Sequence, residues 1–157
     1  MEAFNLVEKL ESHAISKGWL FFNGDEFYAN VDADGKADIG QLALWINLNI
    51  DSSRGKGNRL SKINYTGLIA LGGKFDDNYT IENNNNTNAN LDESFDQKYK
   101  RRLSTLLKTL SDELGIVSCA NNLQIITENY IYDINKFDTN FDFVVGQFNI
   151  EQETFKP

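Results

Sequence analysis

One cysteine, Cys119, and one histidine, His13, occur in the 157 residues of this chain. A lone thiol excludes an internal disulfide, and with it the small secreted scaffolds that depend on disulfide staples. Metal sites built from His and Cys are excluded by the same count. Positive charge is also scarce: 15 Lys and Arg stand against 23 Asp and Glu, a formal net charge of -8. An acidic average runs against wholesale nucleic-acid binding, which needs a basic face to displace counterions from phosphates. No apolar run approaches the ~20 residues that a membrane-spanning helix needs. The start, Met1 to Phe4, has no basic region followed by an apolar stretch. The expected product is therefore cytoplasmic or assembled in a cytoplasm, with no membrane partner.

What is present is ordinary material for one folded domain. Hydrophobic residues make up 41% of the chain, and a chain this long buries roughly two-thirds of its unfolded surface without a metal or disulfide. Eleven Phe, six Tyr and two Trp fall mostly in short alternating runs, which points to sheet.

Glu2 to Lys17 reads as a helix, with Ala3, Leu6, Val7, Leu10 and Ala14 at three- and four-residue spacing and Gly18 as its stop. Trp19 to Phe22 and Glu26 to Val31 flank Asn23 and Gly24, a pair suited to a type I′ turn, so a hairpin is expected. Leu42, Leu44, Ile46, Leu48 and Ile50 alternate strictly and define a strand. A Ser/Gly/basic loop from Asp51 to Lys62 follows, then a strand from Ile63 to Leu71 ended by Gly72 and Gly73. From Asp76 to Asp92 the composition turns Asn-rich, with Asn83 to Asn86 unbroken, and buries too little apolar surface to offset its ordering entropy. Ser94 to Leu114 reads as a second helix, opened by a capping box of Ser94 and Gln97 and closed by Gly115. Leu123 to Ile134 and Phe141 to Ile150 are two further strands. The pattern predicts one α+β domain over 1–157, an antiparallel sheet of about five to six strands with two helices on one face and a long Asn-rich loop at 76–92.

Two constellations could carry chemistry. Asn30, Asp32, Asp34 and Asp38, with Gly35 between them, occupy oxygen-ligand positions of an EF-hand-like calcium loop. The terminal bidentate Glu is replaced by neutral Gln41, and a hairpin rather than a helix precedes the loop, so a solvated Asp/Gly turn is the expected state. No cofactor or metal is expected. The second constellation is basic: Arg54, Lys56, Arg59 and Lys62 in the loop, and Lys98, Lys100, Arg101 and Arg102 at the start of the second helix. In an acidic chain these two segments make a charge asymmetry suited to an acidic partner surface. Arg54 to Gly57 lacks the glycine spacing and Ser/Thr of a phosphate-binding loop. For nucleophilic catalysis, His13 neighbours Ser12 only along a helix, where adjacent residues diverge, and a catalytic centre is not expected.

The order of elements, from the N-terminal helix and the Leu42 to Ile50 strand to the helix at Tyr99 to Leu114 and the closing Ile134 to Asp142 stretch, resembles small tail-terminator or tail-completion proteins of tailed phages, in particular those of Bacteroidetes phages. That resemblance implies an α+β protomer without an active site that closes into a homo-oligomeric ring at the head–tail junction, with neighbouring tail or portal proteins as further partners, in a virion assembled in the host cytoplasm. The Asn-rich insertion departs from the pattern. The alternative expectation is a small acidic protein-binding module, an adaptor or inhibitor.

Overall fold

The structure, a computed structural model, describes residues 6–24, 41–74, 95–133 and 141–153. Helix α1 (Leu6–Ser16) forms because Leu6, Leu10 and Ala14 recur on one side, and all three are buried. It ends in a glycine-type stop: Gly18 lies at φ 73°, and the Trp19 N–H reaches back to Ala14 O at 2.9 Å. Strand β1 (Leu20–Asn23) follows directly.

The remaining strands are β2 (Leu42–Arg54), β3 (Leu60–Lys74), β4 (Leu123–Asp133) and β5 (Phe141–Glu153), with helix α2 (Phe95–Ala120) between β3 and β4. They form one five-stranded sheet in the order β1-β2-β3-β5-β4. The expected α+β class and the predominantly antiparallel sheet are present. One pair departs from the antiparallel expectation: β1 runs parallel to β2, Leu20 opposite Ala43 and Asn23 opposite Ile46. Asn23 is still a strand residue, and the Gly24 N–H donates to Ile46 O at 2.8 Å, so both extend the ladder. The second arm of the expected hairpin, at 26–31, lies outside the described residues, as does the Asn-rich segment at 76–92.

Both helices lie on one face. Leu6, Leu10 and Ala14 of α1 and Leu103, Leu106, Leu110, Leu114 and Val117 of α2 share a cluster with Leu44, Ile46, Tyr65, Ile69, Phe148 and other sheet residues. Within it the buried Tyr65 hydroxyl donates to Gln152 Oε1 at 2.7 Å, which gives that buried amide oxygen its partner. The other face carries a second cluster of Phe22, Ala43, Trp45, Ala70, Phe143 and Val145. Trp45 stacks on Phe22 at 5.2 Å and meets Phe143 edge-on at 4.2 Å. Both faces of the sheet thus carry buried side chains.

Three boundaries differ from expectation, one of them at Gly72 and Gly73, which do not end β3 but pair with β2 and β5 as it runs on to Lys74. The polar stretch Asp51 to Lys62 is not a loop, because β2 continues to Arg54 and β3 begins at Leu60, each in register with the other. Cross-strand pairing outweighs the weak strand preference of Asp and Ser. Helix α2 also passes through Gly115 and ends at Ala120, because Val117 and Ser118 extend the buried stripe. Burying a valine is worth about 1.5–3 kcal/mol, more than the ~1 kcal/mol a helical glycine costs. The true stop is Asn122 at φ 55°, beside Asn121, whose side chain donates to Val117 O at 2.7 Å. Nothing lies within 4 Å of where a Cβ would stand on exposed Gly115. Gly115→Ala is therefore expected to stabilise the protein by about 0.5–1 kcal/mol, read as a higher denaturation midpoint in urea at unchanged m.

Candidate functional site

β2 and β3 form a long hairpin that outruns β1. β1 accompanies β2 only as far as Ile46, and no described strand lies on the outer side of Asn47 to Arg54, a stretch of roughly 24–27 Å at about 3.4 Å per residue. The connection at its tip is rigidly built. Gly57 and Asn58 both take left-handed conformations, φ 75° and 56°, which glycine and asparagine tolerate best. The Gly55 N–H donates to Arg59 O at 2.8 Å, and Arg54 Nη1 donates to Asn58 O at 2.8 Å. Lower on the arms, the Ser61 hydroxyl donates to Ser53 O at 3.1 Å.

Arg54, Lys56 and Arg59 therefore stand together on an ordered tip, all exposed. A concavity of about 490 Å³, lined by Gly55, Lys56, Gly57, Arg59, Leu60 and Ser61, lies among them. Lys62 belongs elsewhere: its Nζ pairs with Glu151 Oε1 at 2.7 Å across to β5, and that hydrogen-bonded carboxylate holds the ammonium above its ordinary range. The group expected from the sequence thus contributes three tip cations and one lateral ion pair.

The second basic segment does not join the first. Leu123, two residues beyond the Asn121 cap, lies opposite Gln152, which lies opposite Ile63 near the hairpin arms. The C-terminal end of α2 therefore stands at the hairpin end of the sheet. Leu103, Leu106, Leu110, Leu114 and Val117 pack into the core along its length, so the helix lies back over the sheet. Arg102 is then roughly 27 Å along the axis from Ala120, at about 1.5 Å per residue. Lys98, Lys100, Arg101 and Arg102 sit in the first turns of α2, at the other end, with the side chains of the first three outside the described residues. Asn30, Asp32, Asp34 and Asp38 also lie outside the described residues. Gln41, expected as the last residue of that loop, donates its amide to Gly18 O at 3.2 Å.

His13 has a structural task that a helical reading cannot reveal. Its Nε2 meets Glu113 Oε2 at 2.5 Å, and Lys17 Nζ, just past the end of α1, stands 3.4 Å from Glu113 Oε1, so one α2 carboxylate holds two side chains from the α1 end of the chain. Cys119 is free and exposed. Among the described residues no group of three or more His, Cys, Asp or Glu could hold a metal ion. No described helix is long and apolar enough to cross a membrane.

The sheet face opposite the helices turns polar towards the hairpin, where Thr127, Asn129 and Gln147 line a shallow depression of about 450 Å³ with Gly67, Leu68 and Phe148. β4, the outermost strand, was foreseen as a strand but not as an edge. Its Tyr130 hydroxyl donates to Glu128 Oε2 at 3.0 Å and is pushed up to about 12, chiefly by burial. It stays protonated, and so a donor, across the physiological range.

Fold and surfaces together define an α+β domain in which, among the described residues, a basic tip stands on a projecting hairpin. No protein family, curated protein or solved structure matches the chain.

Proposed function

We propose that this protein is a non-enzymatic structural subunit that works by assembling with copies of itself. In its finer form the proposal is a virion protein of a tailed phage, assembled in the host cytoplasm into a homo-oligomeric ring or connector at the tail or head–tail junction. The observation that carries the coarser reading is the ordered, basic-tipped hairpin on an acidic chain: Arg54, Lys56 and Arg59 stand at its end, while the whole carries a net charge of -8. Each copy offers both halves of a contact, a cationic tip and exposed carboxylates such as Glu8 and Glu11 on α1. Complementary charge of this kind steers encounter and suppresses wrong partners. A tip already held by its own backbone hydrogen bonds loses little freedom on docking. The phage assignment rests on the resemblance in element order and on nothing else.

The test is the variant Arg54→Glu, Lys56→Glu, Arg59→Glu. Light scattering is expected to find multimers of the wild type, weakened by salt, and markedly smaller species of the variant. Its unfolding free energy should change by about 0.5 kcal/mol or less per exposed site, except at Arg54, where the lost hydrogen bond to Asn58 O costs about 0.5–1.5 kcal/mol. A wild-type protein that is monomeric at every concentration, and absent from purified virions, would end this reading.

A further inference from the structure

We infer that the outer edge of β4 is a self-pairing seam, at which two copies join antiparallel about a two-fold axis through Asn129. The inference rests on the assembly reading above but adds a second, independent contact. β4 ends the sheet order, its inner side is fully used by β5, and no described strand pairs with its outer side. After the register shift between Ile125 and Thr127, the stretch from Thr127 to Asp133 runs in unbroken register with β5. Natural edge strands are usually guarded by lysine, proline or further bulges. This stretch contains no lysine, arginine or proline, and Ile131 is 60% exposed on it.

Charge selects both the partner and the register. In a two-fold antiparallel pair, directly opposed residues share a face, so the axis must fall on one residue. The geometric middle of Leu123–Asp133 is Glu128, and an axis there would set two carboxylates directly opposite each other, which is destabilising. Moving the axis to Asn129 removes that conflict. Amide then faces amide, each both donor and acceptor. Glu128 faces Tyr130 of the partner subunit, so the hydroxyl that donates to Glu128 within the chain at 3.0 Å can donate instead to the partner's carboxylate. Thr127 faces Ile131 of the partner subunit, a β-branched pair that covers the exposed isoleucine.

Helix α2 agrees with the same axis. Ser111 hydrogen-bonds to Tyr130, so this turn of α2 stands over the middle of β4. Lys108 and Asp112 flank Ser111, with side chains 77% and 58% exposed. Under the two-fold the helices run antiparallel, and Lys108 and Asp112, paired with each other within one helix, leave this turn of each copy without net charge. The hairpin, at the β2 side of the sheet, stays free for other contacts.

The experiment is cysteine cross-linking in full-length protein carrying Cys119→Ser. A residue on a two-fold axis meets its own copy, at the about 4.5–5.5 Å Cα spacing of opposed antiparallel residues, within disulfide range. Mild oxidation of Asn129→Cys is expected to give covalent dimer at least tenfold faster than Gln124→Cys, an exposed control on the same strand that does not meet itself in this register. The same cross-link should persist when the three hairpin cations are reversed. No dimer from Asn129→Cys, or dimer equally from Gln124→Cys, overturns the seam. If that happens while wild-type protein still forms hairpin-dependent multimers, the seam fails and the assembly reading stands; monomers throughout would end both.

Discussion

Replacing Trp45 with alanine is expected to cost about 3–5 kcal/mol, the range for truncating a large buried aromatic. Trp45 is only 3% exposed and belongs to the cluster on the face opposite the two described helices. Its ring stacks on Phe22 of β1 and meets Phe143 of β5, so it links the edge strand β1 through β2 to the middle of the sheet. Removing it opens a cavity that Ala43 and Ala70, its small neighbours in the cluster, cannot fill. Typical domains have about 5–15 kcal/mol of total stability, so the loss is a large share. At roughly 2–4 °C per kcal/mol for a chain of this length, Tm should fall by about 6–20 °C. Thermal unfolding followed by circular dichroism measures it. Trp19→Ala is the natural control, because Trp19 is only half-buried and should lose markedly less. Equal losses at the two sites would mean that the second cluster contributes little.

Gly67→Val is expected to be about as damaging, for a different reason. Gly67 lies in β3 at φ 144°, a conformation that side-chain-bearing residues rarely adopt. A Cβ there would stand 2.2 Å from the backbone oxygen of Asn47 and 3.2 Å from Leu48 Cα in the adjoining strand. Conformational strain of about 1–3 kcal/mol adds to an overpacking cost of about 1–3 kcal/mol, and the neighbour is backbone, which cannot rotate away. The expected loss is roughly 2–6 kcal/mol, measured by urea unfolding, and Gly67→Ala should already show most of it. Gly146 offers the contrast. Its Cβ would meet the outer atoms of the Phe148 ring, a side chain with some freedom to turn. Gly146→Ala should therefore cost less than Gly67→Ala, and the reverse order would contradict this account.

Much of the architecture was legible from periodicity. The stripe of Leu6, Leu10 and Ala14, and that of Leu103, Leu106, Leu110 and Leu114, identify two helices and the faces they bury. Strict alternation from Leu42 to Ile50 marks β2 and assigns Leu44 and Ile46 to the helix-covered face. The same alternation leaves Trp45 on the other face, yet nothing local says that Phe22 and Phe143 meet it there. Asp51 to Arg54 and Lys62 read as loop because their side chains are polar, whereas their strand geometry comes from partners on the opposite arm and on β5. Gly115 reads as a helix stop because the contribution of Val117 three-dimensionally beyond it is invisible in propensity. The basic residues were legible as two clusters, but not as clusters at opposite ends of the domain.

By itself, the order of residues determined the α+β class, the two amphipathic helices, the main strands and the concentration of positive charge in two short segments. Each of these is local: burial period, capping and composition are set by residues within a few positions of one another. Only the tertiary structure decided the strand order, the parallel β1, the two-sided core, the separation of the basic segments and the edge position of β4 among the described strands. Those features depend on which distant segments pair, and backbone hydrogen bonds, being the same for nearly every residue type, leave almost no mark of their partner in the chain that makes them.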